Sequence, residues 1–144
     1  MRVVLLRHAE PLVGRADPPL SPAGQRMADA AGDWVSAVLG AAPVGSTATA
    51  RTAETAARVA ARTGAPREAA PLRPPEDDDA LDLLLHLSEA PRVCVVHHPT
   101  LEAAQARFRP HGLWPRAYCA GVLLTRDGAG VWRATAVYPG HPPG

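Results

Sequence analysis

The sequence predicts an α/β fold, a three-layer α/β/α sandwich whose mostly parallel sheet is covered by helices on both faces and ends in an antiparallel hairpin. Three observations carry that expectation. Two short runs, residues 3–6 and 93–96, are wholly apolar and stop at polar residues, the pattern of central strands buried on both sides. Helical apolar spacing alternates with these runs. Towards the C-terminus two β-rich stretches, 118–125 and 131–137, flank Asp127-Gly128-Ala129-Gly130, which reads as a hairpin.

In chain order, Val3, Val4, Leu5 and Leu6 form a strand that delivers Arg7 and His8 to its carboxyl end. A Gly/Pro-rich turn over 14–19 follows. Ser21 then caps a helix that Pro22 opens, and Met27, Ala30, Ala31, Trp34, Val35 and Val38 carry its apolar face to about residue 39. A short strand near 44–47 leads into an alanine-rich helix over 50–63, which Gly64 ends. Residues 66–75 are proline-rich and extended, the acidic run 76–79 suits a helix start, and 80–87 carry a third apolar helical face. The strand 93–96 ends in His97 and His98, and Pro99 and Thr100 open a helix to about residue 108. No low-complexity linker divides the chain, so residues 1–144 read as one domain. Open α/β sheets bind ligands beyond the carboxyl ends of their strands, which puts the strand ends bearing His8 and His97 on one rim.

At 144 residues and 47% hydrophobic content the chain can bury one core, and 15 basic against 14 acidic residues leave a net charge of +1. No global field draws it to nucleic acid or an anionic membrane, so any anion recognition has to be local. All 15 basic residues are arginine, which coding bias explains without a functional reason. The run 3–6 is too short for a signal core or a membrane span, and the expected location is cytoplasmic, with no membrane partner. Cys94 and Cys119 read as two buried thiols, with no spacing that suggests a disulfide framework or a metal site.

Leu5-Leu6-Arg7-His8-Ala9-Glu10 resembles the opening signature of the histidine phosphatase superfamily, the phosphoglycerate mutase-like enzymes. Three further segments agree in order: Leu20-Ser21-Pro22-Ala23-Gly24 is similar to the family's first helix start, residues 46–56 with Ser46 and Arg51 to its second arginine motif, and Val95-Val96-His97-His98-Pro99 to its second histidine motif. The short length, the alanine after His8 and the simple terminal hairpin are most like the SixA-type phosphohistidine phosphatase branch. The resemblance implies a phosphoglycerate mutase-like fold and phosphatase activity through a phosphohistidine on His8. It also implies phosphate contacts from Arg7, His8, Arg51 and His97, no cofactor and no metal.

The chemistry fits those residue types. Moving a phosphoryl group needs a nucleophile in line with the leaving atom and cations around three equatorial oxygens. A neutral His8 imidazole can attack phosphorus, provided a backbone carbonyl in the following loop fixes its other ring nitrogen. Arg7 and Arg51 present planar forks matched to phosphate oxygens, so charge can be neutralised without Mg²⁺. His97 would strengthen its contact with the same oxygens in the transition state. Taken singly these signals are weak: Arg7-His8 could be a solvated strand end, Arg51 an exposed helix residue and His97 a structural histidine, so the weight lies on four ordered segments. Consecutive strand residues point to opposite sides, so His98 is read as a bystander or pocket rim. Glu10 and Asp17 read as loop or capping residues, and His86 as structural.

Two departures from the family bear on substrate. Many phosphomonoesterases of this family carry a glutamate shortly after the third strand to protonate an alkoxide leaving group, whereas the corresponding stretch here is Ala70-Pro71-Leu72-Arg73-Pro74-Pro75. Glu76, Asp77 and Asp78 stand nearby without occupying the matching position. An imidazole leaving group needs less acid help, so phosphohistidine or an activated phosphate is favoured. Val96 stands where the family often has a small residue, which either narrows the pocket or adjusts packing. The leading expectation is a SixA-like phosphatase acting on phosphohistidine of a partner protein. A phosphomonoesterase for a small phosphorylated metabolite comes next, then a non-catalytic phosphate-binding module. A mutase is least favoured, since no segment is long enough to lid the pocket.

Overall fold

A computed structural model describes residues 2–68, 92–108 and 116–141. The proline-rich stretch, Glu76, Asp77, Asp78, His86 and the expected helix over 80–87 lie outside the described residues. The elements are β1 (Arg2–Arg7), α1 (Pro22–Leu39), β2 (Val44–Ser46), α2 (Ala50–Thr63), β3 (Arg92–Val96), α3 (His98–Phe108), β4 (Gly121–Arg126) and β5 (Trp132–Val137).

These strands form one sheet in the order β2-β3-β1-β4-β5. β1 and β2 both lie parallel to β3, while β4 runs antiparallel to β1 and β5 antiparallel to β4. The parallel sheet with a C-terminal antiparallel hairpin is the α/β arrangement expected. β1 sits at the centre because all four of its apolar residues are buried, and its alternation divides them between two cores. Val4 and Leu6 join Val35, Val44, Val59, Val93 and Val95 beneath α1 and α2. Val3 and Leu5 join Cys94, Val96, Leu101, Val122 and Leu124 beneath α3. The three layers follow directly: helices can cover both faces only if the central strands are apolar on both.

α1 and α2 start where the sequence supplies a cap. Ser21 accepts the Gly24 N–H at 3.0 Å and precedes Pro22; Thr49 accepts the Thr52 N–H at 3.4 Å, and Gly64, in the left-handed region at φ 73°, ends α2. Gly24 is required by a close approach, since a Cβ there would stand 2.0 Å from the Glu10 carbonyl oxygen. α1 and α2 are further joined by Arg58 to Asp29 at 3.1 Å and Arg62 to Asp33 at 2.8 Å. Among the described residues no helix is long and apolar enough to cross a membrane.

One boundary is corrected. The strand expected from residue 118 begins at Gly121, and residues 118–120 are not strand. The reason is backbone geometry: Cys119 has φ 57°, the left-handed region, which breaks the extended run that the β-favouring composition suggested. Smaller shifts occur at β2, which ends at Ser46, and at α3, which begins at His98. Cys94 and Cys119 are both free and buried, and burial pushes each thiol up to about 12.

Candidate active site

The register of the two central parallel strands sets the site. Arg7 pairs with Val96 across β1 and β3, so the next residue on each strand, His8 and His97, emerges at the same end, and the His8 N–H donates to the Val96 carbonyl at 3.1 Å. Their ring centroids are 5.4 Å apart. Two histidines 89 positions apart thus meet because adjacent strands end together.

His8 is buried, and its Nδ1 lies 2.8 Å from the Ala9 carbonyl oxygen. A carbonyl only accepts, so Nδ1 carries the proton and Nε2 keeps a lone pair. Arg51 supports the same tautomer independently, since its Nε–H donates to His8 Nε2 at 3.3 Å and guanidinium has no acceptor. Burial pushes His8 down from the ordinary 6.5 to about 4; the Ala9 bond opposes this, and the charges of Arg51, Arg7 and His97 add to it. The imidazole is therefore neutral at neutral pH, the form a nucleophile requires.

Arg51, one residue into α2, also reaches His97, with Nη2 3.5 Å from Nδ1. The other His97 nitrogen, Nε2, lies 3.1 Å from Thr47 Oγ1 and 3.4 Å from Thr49 Oγ1. Thr47 Oγ1 donates in turn to Thr52 Oγ1 at 2.9 Å, so it has an acceptor lone pair left for a proton on His97 Nε2. Arg7, at the end of β1, donates from Nη1 to the Arg116 carbonyl at 2.5 Å, and its guanidinium carbon stands 4.4 Å from the centre of the Tyr118 ring. Its Nε is buried and has no hydrogen-bond partner among the described residues. A buried guanidinium donor without a partner, beside a second arginine and two histidines, is an arrangement chemically able to receive an anion.

The loop after His8 is held by residues that the sequence motifs did not single out for that task. Thr55 Oγ1 accepts the Ala9 N–H at 3.0 Å and donates to the Arg51 carbonyl at 2.8 Å, tying the loop after His8 to the helix that carries Arg51. Glu10 accepts the Ser21 hydroxyl at 2.8 Å, Asp17 accepts the Ala50 N–H at 2.9 Å, and Glu54 accepts the Leu20 N–H at 3.0 Å. Glu10 and Asp17 are thus the loop and capping residues expected. His98 is set apart from the cluster: it opens α3 and pairs with Glu102 at 2.9 Å. Val96 is fully buried in the core beneath α3, so it adjusts packing and does not narrow the pocket. Ser46 is buried in β2. Among the described residues no three His, Cys, Asp or Glu side chains are grouped so as to hold a metal ion. Tyr118 had no motif to mark it; only its position beside the strand that pairs with β1 could have pointed to it.

Residues 3–72 match the sequence model of the histidine phosphatase superfamily (branch 1). The first half of the chain is thus similar to that superfamily, and the enzyme class that this match supports is a phosphatase. Solved structures share the fold at low identity. The protein histidine phosphatase SixA, complexed with tungstate, is 19% identical, with a TM-score of 0.74 over 96% of this chain and 97% of that one. A mycobacterial glucosyl-3-phosphoglycerate phosphatase complexed with VO₃ is 22% identical, with a TM-score of 0.65 over 95% of this chain and 98% of that one. A phosphoserine phosphatase mutant from Entamoeba histolytica in complex with phosphoserine is 12% identical, with a TM-score of 0.63 over 97% and 98%. A search of curated protein sequences finds no match.

Proposed function

We propose that this chain is a cytoplasmic, metal-independent phosphatase that forms a phosphohistidine at His8 and removes phosphate from phosphohistidine of a partner protein. The observation that carries the reading is the His8 imidazole itself: Nδ1 tied to Ala9, Nε2 left with a lone pair, and Arg7, Arg51 and His97 around it.

In the first step Nε2 attacks phosphorus, a P–N bond forms to His8, and the bond to the leaving imidazole breaks. Arg51 exchanges its contact with Nε2 for a phosphoryl oxygen, and Arg7 supplies its unpartnered Nε–H. His97, anchored through Nε2 on Thr47 and lying beside Arg51, lines the same side of the site as a further polar partner for the phosphoryl group. In the second step water attacks phosphorus, the P–N bond to His8 breaks, and phosphate leaves with His8 neutral again. A leaving imidazole departs neutral if its second nitrogen is already protonated, so this route asks for no strong general acid. The carboxylates of Glu10, Asp17 and Glu54, on the His8 side of the described fold, are each engaged with a backbone or hydroxyl donor, which supports the same choice.

A small phosphorylated metabolite is the second reading, favoured by the shared fold of the glucosyl-3-phosphoglycerate and phosphoserine phosphatases. Hydrolysis of a phosphohistidine peptide, p-nitrophenyl phosphate and an alkyl phosphate, with chelator present and with His8→Ala as control, separates the two. Strong preference for phosphohistidine, lost in His8→Ala, is the expected result. Comparable turnover of alkyl phosphates would move the substrate to metabolites, and inactivity towards all three would leave a phosphate-binding module.

A further inference from the structure

We propose that Tyr118 is a positioning residue whose ring face holds the Arg7 guanidinium in register with the His8 nucleophile. The proposal rests on the reading of Arg7 and His8 given above and adds a residue to it. The Arg7 guanidinium carbon sits 4.4 Å from the ring centroid, within the range of a cation–π contact, while its Nη1 is tied to the Arg116 carbonyl. A planar fork held across its face and at one terminal nitrogen loses both tilt and rotation. Its buried Nε–H then keeps one direction in which to donate. The same Tyr118 ring flanks the nucleophile, with centroids 5.8 Å apart and planes inclined at 38°. One side chain therefore touches both the clamp and the attacking group.

The backbone around Tyr118 is fastened as such a role demands. Cys119 takes the left-handed conformation at φ 57°, a strain that persists only where surrounding contacts over-determine it. Those contacts are present. The Cys119 N–H donates to the His8 carbonyl at 3.2 Å, the Gly140 N–H donates to the Cys119 carbonyl at 2.9 Å, and His141 Nε2 lies 2.7 Å from the Tyr118 carbonyl oxygen. Gly140 lets the turn approach, since a Cβ there would stand 2.5 Å from the Cys119 Cβ. The loop is thus bonded on one side to the nucleophile's own backbone and on the other to the turn after β5.

The test compares Tyr118→Phe, which keeps a ring face, with Tyr118→Leu and Tyr118→Met, which remove it. Steady-state constants on p-nitrophenyl phosphate, calorimetric binding of inorganic phosphate and melting temperatures are measured for each. The Phe variant is expected to match wild type. The ringless variants are expected to lose about 3- to 30-fold in kcat/KM and in phosphate affinity, the range of a cation–π contact, with KM raised and kcat lowered together. Folded ringless variants with wild-type constants would overturn the proposal, as would a Phe variant as impaired as Leu, or failure of both ringless variants to fold. If wild type itself turns over nothing, the phosphatase reading falls separately. Phosphate binding then still decides the role of Tyr118, since affinity equal in the Phe and ringless variants overturns it and weaker affinity in the ringless ones supports it.

Discussion

At the scale of single residues, the proposed chemistry depends on one imidazole being neutral and aimed. Burial holds His8 down to about 4, so a ring titration followed by NMR should show its midpoint near there and not near 6.5. The sign for stability follows. Between 6.5 and about 4 the unfolded chain takes up a proton that folded His8 refuses, so falling pH favours unfolding across that window. His8→Asn should remove this part of the pH dependence in denaturant titrations. Thr55→Val, which keeps the shape but leaves the buried Ala9 N–H without an acceptor, should destabilise by about 1–3 kcal/mol and lower kcat, read by urea melts and steady-state rates. His8, Arg7, Arg51 and His97 were legible through four motif segments in the order of the family they resemble, since each taken singly reads as a solvated or structural residue, and the structure places the four side chains around one point. Thr47 and Thr55 were not assigned these tasks, because a hydroxyl that accepts one proton and donates another has no signature in a one-dimensional string.

Elements bring those side chains together through two joints. The first is the start of α1, where Ser21, Glu10 and Gly24 lock the loop after the nucleophile. Gly24→Ala drives a methyl into the Glu10 carbonyl and should cost about 1–3 kcal/mol with a marked loss of activity, while Ala23→Gly, at the same helix start but without that approach, should spare the site. The second joint is the loop before β4. His141→Ala removes the bond to the Tyr118 carbonyl at the surface and is expected to weaken phosphate affinity by a factor of a few, on the order of 1 kcal/mol or less, with the melting temperature nearly unchanged. The sequence showed the first joint through Ser21-Pro22 and Gly24. The second has the composition of a strand, since aromatic and apolar residues favour strands and nothing local announces a cysteine in the left-handed region.

Over the whole molecule, the alternation of apolar runs and helices was enough to foresee a sheet between two helical layers, because burial on both faces is written in strand composition. Strand order was not written there. β1 lies between β3 and β4, so Leu5 faces Cys94 on one side and Val122 on the other. That placement has a consequence for how the protein comes into being on the ribosome. The strand that delivers His8 leaves the exit tunnel ahead of the other strands of its sheet and cannot be paired on both edges until residue 126 has followed it. Until then the edge of β1 that β4 covers stays open, and nascent chains arrested before β4 should be cleaved by protease in β1 faster than the full chain. Arg7 and His8 are synthesised ahead of Tyr118 and β4, and the pocket around them is assembled only once those have followed.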